Sequence, residues 1–203
     1  MSYSDFRNIE DVKQKFNLKI FSGDSLFSDT KEIHASQMLT EILEENVSLA
    51  LNINTEKARS ELIIAPVLVE VRKFLNRKVS LFSGIEFNVD ETLNLSGYCD
   101  FILSKSPDQV FLESPIACIV EAKNENIKSG YAQCIAETVA AKIFNDRNSI
   151  HFPYILGVVT TGSNWKFLKY DGAIVLIDFD EYLISQLSKI IGIFVEAIMG
   201  VEE

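Results

Sequence analysis

Cysteine and histidine are scarce in this 203-residue chain, which limits the chemistry open to it. Its three cysteines, Cys99, Cys118 and Cys134, are an odd number and lack the C-x-x-C spacing of common metal and redox sites. Such a set fits a reducing cytosol better than a disulfide framework, so we predict a cytoplasmic protein with three small, buried thiols. The two histidines, His34 and His151, stand in no context that indicates a thiol nucleophile.

Long apolar runs and several familiar motifs are absent as well. No apolar stretch reaches the ~18 residues that a membrane span needs, and no basic segment followed by an apolar run indicates a signal peptide. An HExxH sequence, a Walker A loop and a GxSxG sequence are all missing, which disfavours the hydrolases that depend on them. We therefore expect no membrane partner.

Basic residues are outnumbered, at 19 against 29 acidic residues, and the net charge is −10. This balance argues against a protein that coats nucleic acid nonspecifically, because such binding depends on neutralising phosphates. It does not exclude a nuclease, since carboxylates that hold a metal ion contribute to the same negative count. A local basic groove is also compatible with an acidic outer surface.

The remaining composition, 47% hydrophobic and 24% charged, is typical of a globular protein, and the length suits one domain. Apolar periodicity predicts helices, three strands, a helix, three strands and a final helix. We predict an α/β protein with a mixed central sheet flanked by helices. Its single domain comprises an N-terminal helical extension (1–53), a core (54–178) and a C-terminal helix (179–203) that covers the sheet or forms a homodimer surface.

Three local features carry predictions of their own. A helix beginning near residue 54 contains Pro66, which must kink or divide it because proline removes a backbone hydrogen bond. Gly84 lies within a strand pattern and indicates a β-bulge. Glu70, on the helix that contains Pro66, is interpreted as a surface charge.

Charged residues end two of the predicted strands. The apolar run that begins at Ile116 ends in Glu121-Ala122-Lys123, and the preceding run passes through Asp100. Alternate strand residues share a face, so Glu121 and Lys123 point the same way, and Asp100 joins them if the two strands pair. Two adjacent carboxylates repel unless a cation lies between them, and oxygen ligands of this kind suit Mg²⁺, or Mn²⁺ in its place. A neighbouring lysine can stabilise the charge that develops on a phosphate.

Asp100 followed by Glu121-x-Lys123 resembles the signature of the PD-(D/E)xK nuclease superfamily, with Cys99 in place of the proline. The resemblance implies a restriction-endonuclease-like core and phosphodiester hydrolysis. It also implies that Asp100 and Glu121 hold the metal ion and that Lys123 is catalytic.

The resemblance extends to Gln133 and Glu61. Gln133, on the following helix, matches a frequent family glutamine. We interpret it as orienting Lys123 or a metal-bound water or contacting a backbone phosphate, the alternative being an amide that fills a polar niche. Glu61, on the earlier helix, is either a metal ligand, directly or through water, or an ordinary surface residue. The backbone carbonyl of Ala122 would complete the metal shell. Glu137 follows Gln133 by one helical turn and points the same way.

Several polar and aromatic residues allow two interpretations. The segment 124–126 either forms the turn and caps the next helix or contacts substrate. Trp165 and Tyr170 either pack in a hairpin or stack on bases. Lys166 and Lys169 are candidates for phosphate contacts on one rim.

Two functions follow from these residues. The first is a Mg²⁺-dependent nuclease acting on nucleic acid, with DNA favoured over RNA. The second is a catalytically inactive nuclease-fold protein with a binding or regulatory role, which the acidic net charge and the lack of a DNA-reading domain favour. The three converging charges, Asp100, Glu121 and Lys123, weigh against the inactive protein, because charged groups of this kind do not stabilise a hydrophobic core.

Overall fold

In the computed structural model, which describes residues 2–200, one eight-stranded mixed sheet lies between two layers of helices. This confirms the predicted α/β class. The helices, labelled α1 to α6, span Ile9–Phe16, Gln37–Ile53, Glu56–Arg59, Ala65–Phe74, Tyr131–Arg147 and Leu187–Met199. The strands, labelled β1 to β8, span Lys19–Ser22, Ser80–Glu86, Tyr98–Ser104, Ile116–Ala122, Ile155–Thr160, Asn164–Tyr170, Ile174–Ile177 and Tyr182–Leu183.

The strand order is β1-β7-β6-β5-β4-β3-β2, with β8 beside β6. The pairs β4–β5 and β1–β7 are parallel, and the other neighbours are antiparallel. Strands β4 and β5 are buried along their whole length, as expected for parallel strands covered on both faces. The end of β4 therefore lies in the interior of the sheet. The N-terminal segment contributes β1 to the edge of the same sheet.

Each face of the sheet packs against its own helices. Apolar residues of α2, α4 and α6 form one core layer, and those of α1 and α5 form the other. Trp165 is fully buried in the first layer, where its ring meets Phe194 edge-on at 5.9 Å between centroids. Tyr170 is buried in the second layer. Both are packing residues, so base stacking by either is excluded. The three cysteines are buried and unpaired, as predicted.

The helix that contains Pro66 is divided as predicted, but by a π-helical turn and not by a simple kink. The turn spans Ser60–Ile64 between α3 and α4, and the backbone N–H of Ala65 donates to the carbonyl of Ser60. A π turn widens the helix locally, which accommodates a proline that lacks an N–H. Glu61 lies within this widened turn.

Three local predictions are wrong. The strand register is the same on both sides of Gly84, so no bulge forms there. Glu70 is buried and accepts a 2.7 Å hydrogen bond from the backbone N–H of Ser36, which anchors the start of α2. The last helix begins at Leu187 and not at residue 179, because Tyr182–Leu183 forms β8, which pairs with β6, and the hydroxyl of Tyr182 donates a 3.0 Å hydrogen bond to Asp178.

Residues 201–203, at the end of the predicted C-terminal segment, lie outside the described residues. Within residues 2–200, no helix combines the length and the apolar character that crossing a bilayer requires.

Candidate metal and phosphate site

The predicted charges meet at the end of β4. Phe101 on β3 pairs with Val120 on β4, so Asp100 occupies the position across from Glu121 in this antiparallel register. The carboxylate of Asp100 accepts a 2.8 Å hydrogen bond from the backbone N–H of Ala122. Strand pairing therefore holds the two carboxylates beside each other, as the sequence predicted.

Glu121 is almost completely buried and only partly satisfied. Its Oε1 accepts a hydrogen bond from Lys123 Nζ, and its Oε2 has no hydrogen-bond partner within residues 2–200. Burial, followed by the charge of Asp100, raises the pKa of Glu121 to about 8, and Lys123 offsets only part of that rise. A bound cation would favour the charged form of this carboxyl group.

The pKa of Asp100 is also subject to opposing influences. Burial raises its pKa, and the hydrogen bond from Ala122 and the charge of Lys123 oppose that rise. Two neighbouring carboxylates with one unpartnered oxygen match the ligand set of Mg²⁺, which commonly binds one or two carboxylates and keeps several waters. Within the described residues, no group of three or more His, Cys, Asp and Glu side chains is arranged to hold a metal ion. The fit therefore depends on the Asp100–Glu121 pair.

A chain of side chains connects Lys123 to α5. Lys123 Nζ lies 3.4 Å from Gln133 Oε1, to which it donates, and Gln133 Nε2 donates to Glu137 Oε1 at 3.0 Å. Glu137 is fully buried, and its Oε2 has no partner among residues 2–200. Burial and then the charge of Glu121 raise the pKa of Glu137 well above its usual range. Gln133 thus reaches the site through Lys123, and Glu137 belongs to the same network.

Gly130 allows the start of α5 to lie against Lys123. A Cβ atom at this position would lie 2.5 Å from Val159 Cγ1 and 3.1 Å from Lys123 Cγ, both tighter than ordinary contact. Any larger residue would have to displace one of these neighbours. Glycine is thus required here by close packing.

Glu61 and Glu56 both line a cavity of about 260 Å³ next to Asp100. The side chain of Glu61 is 63% exposed and lies 3.7 Å from Lys57. Glu56 interacts electrostatically with the site, since burial and the charge of Asp100 raise its pKa while Lys123 opposes the rise. Sequence reasoning missed Glu56 because an acidic residue in the first turn of a helix is an ordinary stabilising feature.

Arg59 fixes α3 to the strand ends. Its guanidinium donates to Asn124 Oδ1 at 3.1 Å, to the carbonyl of Thr161 at 2.9 Å and to Asn54 Oδ1 at 3.0 Å. The side chain of Asn126 accepts a hydrogen bond from the backbone N–H of residue 128, which confirms the turn-and-cap interpretation of this segment. Helix α3 and the loop after β4 thus form one wall beside Lys123.

The two candidate phosphate lysines are occupied elsewhere. Lys166 Nζ donates to the backbone carbonyls of residues 178, 179 and 180. Lys169 Nζ lies over the rings of Phe27 and Tyr154, at 4.4 and 4.9 Å from their centroids. These contacts give both lysines structural roles.

No protein-family model matches the chain, and no curated protein matches it. The resemblance to the PD-(D/E)xK nucleases therefore stays a prediction. It is carried by Asp100, Glu121 and Lys123, which the fold brings together at one site.

Proposed function

We propose that this protein is a Mg²⁺-dependent nuclease that hydrolyses phosphodiester bonds, with Mn²⁺ as an alternative metal. In this proposal DNA is favoured over RNA as the substrate, and the protein acts in the cytoplasm. The observation that supports it best is the unpartnered, buried Oε2 of Glu121 beside Asp100 and Lys123. Among the described residues, Glu137 also has a buried oxygen without a partner, but only Glu121 lies across from a second carboxylate, that of Asp100, so that one cation could contact both groups.

Each residue of the site has a distinct role in this proposal. Asp100 and Glu121 would hold the metal ion, and the carbonyl of Ala122 would complete its shell. An acidic residue of α3 or of the π-helical turn, Glu56 or Glu61, would bind the metal ion directly or through a water molecule. When bound, Mg²⁺ would lower the pKa of a coordinated water and offset the charge of the substrate phosphate.

Lys123 would donate hydrogen bonds to the reacting phosphate or to the attacking water. Burial works against its charge, but the carboxylates of Glu121, Glu56 and Asp100 raise its pKa overall, so the ammonium group stays protonated. Gln133 would orient this ammonium group, and Glu137 would fix the direction of the Gln133 amide.

A catalytically inactive binding module is the second candidate. The net charge of −10 favours it, as does the absence of a three-ligand metal cluster among residues 2–200. In that case the Glu121–Lys123 pair would serve only to join the end of β4 to α5.

A cleavage assay separates the two candidates. Purified protein is incubated with single-stranded, duplex and branched DNA and with RNA, in chelator, Mg²⁺ or Mn²⁺. Metal-dependent cleavage by the native protein, lost in both Lys123→Ala and Asp100→Asn, supports the nuclease. If no substrate is cut under any condition, the nuclease proposal is rejected in favour of the inactive module.

A further inference from the structure

A second cavity, of about 520 Å³, lies beyond the ends of β4 and β5, next to Lys123. We name it the amide pocket. The residues that matter to its chemistry are Arg59, Asn124, Asn126, Lys128, Tyr131 and Asn164. Its volume falls within the range of about 300–1,000 Å³ typical of small-ligand sites. Asn124 directly follows Lys123, so the pocket adjoins the proposed reaction site.

Four hydrogen-bond donors are available in the amide pocket, beside the carboxylates of Glu125 and Glu181, which accept from Asn54 and Asn164. The Oδ1 atoms of Asn124 and Asn126 already accept hydrogen bonds, which leaves their amide N–H groups for a ligand. Tyr131 is 92% buried, and its hydroxyl makes no hydrogen bond within residues 2–200. Lys128 is exposed and forms no ion pair in that range. A ligand that satisfies these donors must be rich in acceptors.

The lining of the pocket carries a formal excess of one positive charge within an acidic chain. Arg59, Lys128 and Lys166 line it, against two acidic residues, Glu125 and Glu181. Arg59 and Lys166 donate to amide and backbone carbonyl oxygens and not to carboxylates, so their charges are not offset by ion pairs. A positive pocket on a protein of net charge −10 favours an anionic ligand.

A neighbouring cavity of about 300 Å³ extends this surface. It shares Lys128, Tyr131 and Lys166 with the amide pocket and also contains Phe179. The side chain of Phe179 is 67% exposed, although it is a large aromatic group. Exposed aromatic rings along a positive groove are typical of proteins that stack the bases of single strands.

We infer, building on the proposed nuclease function, that the amide pocket binds one nucleotide of a single-stranded nucleic acid beside the bond to be cleaved. Lys128 and Tyr131 hold its phosphate, and the amide groups of Asn124 and Asn126 donate to acceptors on its base. A base within a duplex has its pairing edge occupied and cannot enter a pocket of this size. Phe179 stacks on the next base along the strand.

The test measures binding in chelator, where no metal-dependent cleavage can occur. Fluorescence anisotropy follows labelled single-stranded DNA, single-stranded RNA and duplex DNA at several salt concentrations. We expect at least one single strand to bind more tightly than the duplex. Lys128→Ala should lower the salt slope, log K against log salt, by about 0.7, the value for one phosphate contact on a single strand.

Three further variants sharpen the test. Tyr131→Phe should weaken binding by removing one donor, and Phe179→Ala should weaken it about fivefold or more through lost stacking. Lys78→Ala is the matched control, since Lys78 is also exposed but lines a separate cavity near α4 and α6, and the variant should bind as the native protein does. Circular dichroism verifies that each variant is folded.

The inference is overturned if duplex DNA binds as tightly as the single strands, or if neither single-stranded DNA nor single-stranded RNA binds. It is also overturned if Lys128→Ala and Lys78→Ala change binding equally. The outcome is separable from that of the nuclease proposal. If the protein binds single strands through Lys128 but never cleaves, the binding pocket is supported and the nuclease proposal is rejected. If Lys128→Ala leaves KM unchanged for every substrate that is cleaved, the nuclease is supported and the binding pocket is rejected.

Discussion

The carboxylate of Asp100 accepts a 2.8 Å hydrogen bond from the backbone N–H of Ala122, the residue that separates Glu121 from Lys123. This bond attaches the side chain of one strand to the backbone of the next at the point where both carry charge. A site built on strands in this way is held more precisely than one built on loops. The predicted effects of substitution, pH and metal binding depend on this arrangement.

Replacement of the lysine tests the role of positive charge. Lys123→Ala should lower kcat by about 10²–10³, the usual effect of losing one donor to a developing anion. Mn²⁺ binding should persist, because Lys123 is not a ligand. Steady-state cleavage and isothermal titration calorimetry measure the two effects, with Lys78→Ala as the control lysine. A native kcat in Lys123→Ala would exclude it from catalysis.

Replacement of the strand aspartate tests metal binding. Asp100→Asn keeps an oxygen that can accept the Ala122 N–H but removes a negative charge, so the variant should fold and lose both Mn²⁺ binding and cleavage. Calorimetric titration with Mn²⁺ measures binding, and thermal unfolding measures folding. Unchanged Mn²⁺ affinity in a folded Asp100→Asn protein shows that the assigned role is wrong.

Glu121 predicts a characteristic dependence of stability on pH. Its pKa is raised from 4.5 to about 8 in the folded, metal-free protein. Between these values the folded state holds a proton that the unfolded state has lost, so this group's contribution is complete below pH 4.5 and is lost as the pH rises through about 8. Urea unfolding of native protein and Glu121→Gln should show a stability difference that changes across this window.

Metal affinity should follow the opposite trend, because binding requires the deprotonated carboxylate. The apparent affinity for Mn²⁺ should increase with pH, by up to about tenfold per pH unit, and level off above the pKa of Glu121. Competition with a coloured chelator measures this profile. An affinity that does not vary below that pKa contradicts the assignment of Glu121 as a ligand.

Glu137 should act as a positioning residue. Glu137→Gln preserves an acceptor for the Gln133 amide and should retain most of the cleavage rate. Glu137→Ala removes that acceptor and should lower kcat several-fold, with KM nearly unchanged, because Lys123 loses its fixed partner. Steady-state kinetics and thermal unfolding of the two variants distinguish positioning from packing. If Glu137 only packs, kcat in the two variants should follow their stability, and glutamine should restore kcat no more than it restores stability.

The sequence predicted the centre of this structure well, for a clear physical reason. The buried run of β4 and the two-residue period of a strand determine which way Glu121 and Lys123 point. The helical period likewise places Gln133 and Glu137 on one side of α5. Such regularities are local, so they are visible in a sequence.

Features that depend on distant contacts were not predictable in this way. Glu70 is buried because the start of α2, more than thirty residues earlier, needs an acceptor. The late start of α6 depends on the pairing of β8 with β6 and on the bond between Tyr182 and Asp178. The effect of Asp100 and Lys123 on the pKa of Glu56 depends on the packing of α3 beside the ends of the strands. None of these contacts follows from periodicity.

The most direct measurement is X-ray diffraction from a crystal soaked in Mn²⁺, with data collected to locate anomalous scattering. We expect a peak between the carboxylates of Asp100 and Glu121 that is absent from Asp100→Asn crystals soaked in the same way. Full occupancy of Mn²⁺ at other sites, with no peak between these two carboxylates, would contradict it.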